Sequence, residues 1–229
     1  MLMNENLLNK ATILFWVMFR LNMLFAVSNV VLIGALLNVP VHAITLPLYL
    51  IGVFLLVLSL LALCSTIRRL DELDKTSLLK LYIRCYKEEF AGSVLFAVGY
   101  IAAVFVLFSA FIMAQSVPML IPVYSLLAVV LYVHFVFALL IRVNFYISNL
   151  GIWRLGMYCI SKQLVCSVLI LLTAIASGVL INIFPVLIFL GIVPWAMYVL
   201  VCFTKKMIDD LTIKLNIREE VSHESKNDN

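Results

Sequence analysis

Six long apolar runs dominate the sequence, and turn-forming or charged residues separate them. A helix needs about 20 mostly apolar residues to cross a bilayer, because each residue adds about 1.5 Å along a hydrocarbon core of about 30 Å. The runs lack the alternation of apolar and polar residues that barrel strands require, so the pattern predicts helices. The predicted spans are approximately 13–37, 43–66, 90–114, 120–141, 163–183 and 186–203.

The connections between these spans are of two kinds. Three are short and uncharged: Asn38-Val39-Pro40, the turn around Pro118 and Pro122, and Phe184-Pro185. Hydropathy barely falls at the third, which we place there because about forty apolar residues are too many for one crossing. The other two connections, 67–89 and 142–162, are longer and carry most of the charge.

Both long connections have the periodicity of amphipathic helices. In the first, apolar residues repeat on one side, and Lys80, Arg84 and Lys87 repeat on another. A helix of this kind beside a membrane lies in the headgroup layer. The second connection has a weaker pattern, with an apolar side that includes Leu150, Trp153, Met157 and Tyr158. We therefore predict two interfacial helices in addition to the six spans, the first over 76–88.

The two long connections and the spans around them resemble a tandem repeat. Aligning Arg68 with Arg142 also aligns Cys85 with Cys159. Both copies then have the order span, surface helix, span, in the same orientation. A parallel repeat relates two halves by an axis along the membrane normal.

Composition places the chain among membrane proteins. Hydrophobic residues make up 65% of it and charged residues 12%, whereas soluble domains average roughly half apolar and about a quarter charged. This excess excludes a soluble enzyme, a disordered chain and a secreted disulfide scaffold. The predicted fold class is therefore an all-α polytopic membrane protein. Residues 1–205 form one membrane domain, and 206–229 form a polar, partly disordered tail.

The distribution of Lys and Arg predicts the orientation. Of the 16 Lys and Arg residues, fourteen lie in the two long connections and the tail, and none lies in the three short connections. Cytoplasmic loops carry such an excess, so both termini are expected in the cytoplasm. Each basic group near an anionic leaflet adds about 1 kcal/mol of attraction. The bilayer surface is therefore the expected partner of Lys80, Arg84 and Lys87.

Polar side chains within the predicted spans are candidate functional residues, because they are costly in hydrocarbon. Arg20 is expected near the inner edge, where it reaches the headgroups. Asn22 and Asn29 share a helix face and either line a cavity or form hydrogen bonds between helices, and we favour the hydrogen bonds. His134 has no acidic partner in any predicted span, so we favour a structural role for it. The full set is Arg20, Asn22, Asn29, His134 and Asn182.

The sequence contains no motif of a known catalytic or cofactor site. It has no phosphate-binding loop, no His-Glu-x-x-His and no Gly-x-Ser-x-Gly. Its five cysteines lack metal-ligand or redox spacing, so we expect reduced thiols. Basic residues are not interleaved with aromatics as in nucleic-acid binding. We therefore predict no enzymatic activity, no metal, no cofactor and no nucleic-acid partner, and the sequence leaves the oligomeric state open.

Several short motifs resemble those of the YesL-like proteins, small bacterial integral membrane proteins classed by a domain of unknown function. The matching pieces are Leu21-Asn22-Met23-Leu24-Phe25, Ile33-Gly34-Ala35, Tyr82-x3-Tyr86-Lys87-x2-Phe90, and the stretch 145–169. The resemblance covers most of 11–205 and implies a polytopic helical fold in a bacterial cell membrane. Genes of this family often lie beside carbohydrate ABC uptake systems. The resemblance thus implies an accessory role in sugar import, with ABC permease subunits as partners and no known catalytic residues.

Three classes of function follow from these observations. The first is a non-enzymatic accessory protein of a carbohydrate ABC importer. The alternative is an independent small-solute transporter or channel, with a solvated path lined by Asn22, Asn29, His134 and Asn182. The third is a membrane enzyme acting on lipid, for which the sequence offers no catalytic constellation. We favour the first class.

Overall fold

The computed structural model describes residues 2–40, 45–74, 76–114, 117–145, 147–184 and 187–227, and within them every regular element is helical. Two short 3₁₀ segments, Leu70–Asp74 and Pro118–Leu120, accompany the α-helices. The α-helices are α1 (Leu2–Ser28), α2 (Val30–Asn38), α3 (Leu46–Arg68), α4 (Leu78–Ala114), α5 (Ile121–Asn144), α6 (Asn149–Lys162), α7 (Leu164–Ile183), α8 (Leu187–Leu190) and α9 (Ile192–Asn227).

Five helical stretches within the described residues are long and apolar enough to cross a bilayer. They are Asn9–Ser28, Leu46–Arg68, Gly92–Ile112, Ile121–Asn144 and Leu164–Ile183. The prediction of an all-α polytopic membrane protein is therefore confirmed. The predicted break at Pro185 lies outside the described residues. The same holds for residues 41–44 and 115–116, which belong to the other two short connections, and for Lys75 in the first long connection.

The first and last predicted spans are each divided between two helices. The segment 13–37 is interrupted at Asn29, which has φ −108° and ψ 15° between α1 and α2. The segment 186–203 is divided at Gly191, which has φ 102° between α8 and α9. This segment is not among the five spans found in the described residues, whereas hydropathy along the sequence predicts six. Hydropathy misses both interruptions because each involves one residue inside an apolar run.

The first predicted surface helix is not a separate element. Helix α4 has 37 residues and contains both the surface segment and the third span. No proline interrupts the sequence from Thr76 to Ala114, so the backbone hydrogen bonds can continue without a break. At 1.5 Å per residue, α4 is about 55 Å long, well beyond the thickness of the hydrocarbon core. Similarly, α9 continues through the predicted tail to Asn227.

The second predicted surface helix is present as α6. It begins at a cap in which the hydroxyl of Ser148 accepts a hydrogen bond from the Gly151 N–H at 3.2 Å. Its buried residues are Ile152, Gly156 and Cys159. Gly156 is a small residue, which allows α6 to approach α5 closely at His134. Of the residues on the predicted apolar side, Trp153 packs against His134, whereas three are exposed on the protein surface: Leu150, Met157 and Tyr158.

The core lies toward one end of the bundle, where α3 and α5 end and the segment 67–89 begins. We call this the charged end. Leu61–Ile67 of α3 and Phe137–Ile141 of α5 are buried without interruption, so neighbours surround these turns on all sides. Toward their other ends the helices are open. Val106 of α4, Leu126 of α5 and Ile175 of α7 are 66%, 65% and 62% exposed.

Replacing Gly191 with alanine should destabilise the fold. Its φ of 102° is unfavourable for a residue with a β-carbon, and that atom would lie 3.3 Å from the carbonyl oxygen of Met18. Strain of this kind costs on the order of 1–3 kcal/mol, so the Tm of the Gly191→Ala variant in detergent should fall.

Gly178→Ala is the matched control for this substitution. A β-carbon at Gly178 meets nothing within 4 Å, and alanine is the better helix former. Its Tm should stay constant or rise slightly. Equal losses in the two variants would contradict a special role for the backbone conformation at Gly191.

Candidate functional site

His134 of α5 connects three helices. The hydroxyl oxygen of Tyr100 in α4 lies 2.6 Å from its Nδ1, and the carbonyl oxygen of Trp153 in α6 lies 3.0 Å from its Nε2. A carbonyl oxygen can only accept, so Nε2 carries the proton and Nδ1 accepts a hydrogen bond from the Tyr100 hydroxyl. His134 is 2% exposed. The neutral imidazole therefore uses both of its nitrogens within the protein.

The rings of these three residues also pack together, and we call the group the His134 cluster. The rings of Tyr100 and Trp153 stack with centroids 4.6 Å apart and an interplanar angle of 16°. The imidazole centroid lies 4.9 Å from that of Trp153. Gly156 makes room for the imidazole, because a β-carbon there would lie 2.9 Å from Nε2 of His134, whereas one at Gly99 would form an ordinary contact of 3.7 Å with the Trp153 ring.

Asn22 and Asn29 are both buried and both bind other elements. The side-chain amide of Asn22 donates to the carbonyl oxygen of Ile188 in α8 at 3.0 Å. That of Asn29 donates to the hydroxyl of Ser59 in α3 at 2.7 Å and to the carbonyl oxygen of Phe25 at 2.7 Å. The Oδ1 atom of Asn29 is buried without a hydrogen-bond partner in the described part of the chain. These are contacts between packed helices.

The two remaining candidates from the spans are exposed. Arg20 lies on the surface of α1. Asn182 donates to the carbonyl oxygen of Gly178, 2.9 Å away in its own helix. The five intramembrane candidates therefore lie in separate contacts, and the structure does not bring them together at one site.

Two arginines at the charged end bind the backbone of neighbouring helices. Arg68, the last residue of α3, donates from Nη1 to the carbonyl oxygen of Val143 in α5 at 2.6 Å. Arg142 donates to the carbonyl oxygen of Gly92 in α4, and its Nε donates to the hydroxyl of Ser93 at 3.3 Å. A β-carbon at Gly92 would collide with this guanidinium. Sequence analysis used these arginines for orientation and missed their role in packing.

The three basic residues predicted to face lipid differ in their surroundings. Arg84 pairs with Glu72 and approaches Glu88 at 4.0 Å. Lys80 and Lys87 are exposed. Because Arg84 is paired within the chain, less of its charge is available to a lipid surface.

Two ionisable side chains outside the spans, Glu89 and Cys159, are shifted toward their neutral forms. Burial raises the pKa of Glu89, although the Arg142 charge and a hydrogen bond from Ser93 oppose the shift. Burial also raises the pKa of Cys159 to about 11, so this thiol is protonated at neutral pH. All five cysteines are unbridged. Among the described residues no three His, Cys, Asp or Glu side chains lie close enough to hold a metal ion.

Three cavities lie between the described helices, one at the charged end and two further from it along the spans. A cleft of about 550 Å³ at the charged end has walls from α3, α5 and α9 and includes Arg68, Asn144 and Lys205. An apolar cavity of about 350 Å³ lies further along the same three helices and against α7. A second apolar cavity of about 330 Å³ lies between α3, α4 and α5. The first cleft is thus the polar one of these three.

The fold and these contacts define a polytopic helical membrane protein in which polar side chains join the helices. The sequence model of one family, described as "Protein of unknown function, DUF624", matches residues 11–111, which is less than half of the chain. The matched region includes Asn22, Asn29 and Tyr100 but ends before His134. No curated protein matches the chain. No solved structure matches it.

The His134 cluster should act as a structural connection that a double-mutant cycle can detect. His134→Phe leaves the Tyr100 hydroxyl without its acceptor, which costs about 1–3 kcal/mol for a buried group. Tyr100→Phe removes that hydroxyl, so the double variant should lose less than the sum of the two single losses. Thermal unfolding of all four proteins in one detergent measures this difference. Additive losses would contradict the hydrogen bond between Tyr100 and His134.

Glu89→Gln should stabilise the protein more at pH 8 than at pH 5. Because burial raises the pKa of Glu89 in the folded state, its favourable contribution exists at low pH and is lost as the pH rises through that pKa. Arg69, Glu88 and Arg142 act on the same group. Glu88→Gln is the control, since Glu88 forms an exposed ion pair with Arg69 and should change Tm little. A Tm gain for Glu89→Gln that is independent of pH would argue against this account.

Proposed function

We propose that this chain is a YesL-like bacterial membrane protein that assists a carbohydrate ABC importer and catalyses no reaction itself. In this proposal it lies in the cell membrane with both termini in the cytoplasm, and it packs against the permease subunits. The importer follows from the sequence resemblance over most of 11–205. The DUF624 match supports membership of an uncharacterised family and assigns no activity.

The observation that carries the proposal is that polar side chains within the spans form hydrogen bonds inside the protein. Asn22, Asn29 and His134 each hold another helix through hydrogen bonds, and Asn182 bonds to its own helix. A transporter of its own would need such groups to face a shared solvated path. Because these side chains lie in separate contacts between or within helices, they favour a structural accessory protein over an independent transporter.

The open ends of α4, α5 and α7 supply the surface for a partner. Their exposed residues are large and apolar, as Val106, Leu126 and Ile175 illustrate. Helices associate in membranes through close packing, so a permease helix can replace lipid on such a surface. The charged end contains the continuous buried core of α3 and α5, so the exposed apolar halves of the spans are the surface that we assign to the partner.

Affinity purification from native membranes in mild detergent tests the proposal. The tagged full-length chain should co-purify a stoichiometric ABC permease, whereas an unrelated tagged polytopic protein at equal abundance should not. If the purified chain instead moves a sugar on its own in liposomes, it is an independent transporter and the proposal is wrong.

Bulky substitutions on the open surface locate the interface. Val106→Trp, Leu126→Trp and Ile175→Trp should each preserve Tm, because these side chains do not pack inside the chain. At least one of them should reduce recovery of the permease. Unchanged recovery with all three variants would contradict an interface on this surface.

A further inference from the structure

The polar cleft at the charged end has the chemistry of an anion site. Arg68 and Lys205 both line it, and one carboxylate, Asp209, accompanies them, so positive charge prevails. Arg68 gives one hydrogen bond to Val143, and its guanidinium has five N–H donors in all. Lys205 has no hydrogen bond or ion pair with any residue of the described chain. Donors therefore remain for a phosphate group.

The position of the cleft connects it to the bilayer. Arg68 is the last residue of the α3 span and Asn144 the last residue of the α5 span, so the cleft lies where spans leave the hydrocarbon. The headgroup layer begins there and is about 5–8 Å thick on each side. Basic pockets between membrane helices on the cytoplasmic side are suited to lipid headgroups.

The apolar cavity of about 350 Å³ continues along the same helices. It is lined by Leu60 of α3, Leu139 of α5 and Leu200 of α9, each in the same helix as a residue of the polar cleft. Leu60 lies eight residues before Arg68 in α3. Leu139 lies five residues before Asn144 in α5, and Leu200 lies five residues before Lys205 in α9. These separations correspond to about 8–12 Å along a helix. A polar cleft and an apolar cavity arranged in this order match the two parts of a phospholipid.

We propose that α3, α5 and α9 form a binding site for an anionic phospholipid. The phosphate lies in the cleft against Lys205 and Arg68, and part of an acyl chain lies in the apolar cavity. A free phosphate compound would satisfy the cleft alone, so the apolar cavity is the feature that favours a lipid. The site is independent of the proposed partnership with an importer.

Native mass spectrometry of the full chain in detergent tests this site. Dioleoylphosphatidylglycerol should bind with a measurable apparent Kd, and dioleoylphosphatidylcholine, which has no net charge, should bind more weakly. Glycerol phosphate, which offers the charge without the chains, should also bind more weakly than phosphatidylglycerol. Equal binding of the two lipids, or equal binding of glycerol phosphate, would overturn the proposal.

Two adjacent lysines provide the matched variants. Lys205 lines the cleft and Lys206 does not, and both are exposed. Lys205→Gln should weaken phosphatidylglycerol binding about fivefold, the effect of one basic group near an anionic lipid, and Lys206→Gln should leave it unchanged. Equal losses in the two variants would show general surface attraction and overturn the site.

A second variant tests the apolar cavity without changing charge. Ala196 of α9 lines that cavity, and Ala196→Phe fills part of it. Affinity for phosphatidylglycerol should fall while Tm without added lipid changes little. Unchanged affinity in a variant that is still folded would overturn the acyl-chain assignment.

Discussion

The constraint on which the structure depends is the absence of water in the hydrocarbon core. A polar group at that depth must find its partner inside the protein, or its burial costs several kcal/mol. His134 meets this requirement with Tyr100 and the carbonyl oxygen of Trp153. These bonds join α4, α5 and α6, so polar side chains of the spans also connect neighbouring helices.

The same requirement explains why the core lies toward the charged end. Arg68 and Arg142 each reach the backbone of a neighbouring helix where the spans end. These bonds draw α3, α4 and α5 together, and uninterrupted burial of Leu61–Ile67 follows. At the opposite end, the hydroxyl of Tyr49 in α3 donates to the carbonyl oxygen of Ala35 in α2, but many apolar side chains of α4, α5 and α7 are exposed there. Their apolar side chains remain available to lipid, which is stable in a membrane and would not be in water.

The sequence was sufficient for the fold class and insufficient for the contacts. Long apolar runs predict helices because their length matches the bilayer and because a helix forms its backbone hydrogen bonds within itself. Both properties depend only on residues that are close in sequence. Tyr100 and Trp153 could not be assigned to His134, because their contact depends on how α4 and α6 cross α5. Gly156 was the available signal, since glycines in membrane helices mark close approach, and a β-carbon at this position would lie 2.9 Å from His134. The apolar side predicted for α6 is the one suited to a bilayer surface, and the sequence did not indicate that Ile152, Gly156 and Cys159 form the face buried in the protein.

The interruption at Gly191 shows how a break is tolerated at membrane depth. Irregular backbone is stable there only when protein surrounds it and supplies hydrogen bonds. Asn22 of α1 provides a donor to the carbonyl oxygen of Ile188, three residues before the break, and Met18 of the same helix lies against Gly191. The left-handed Gly191 and the buried amide of Asn22 thus lie at the same contact between α1 and the α8–α9 junction. Asn22, which sequence analysis considered for a solvated path, is better explained as the residue that lets the last apolar segment divide into two helices.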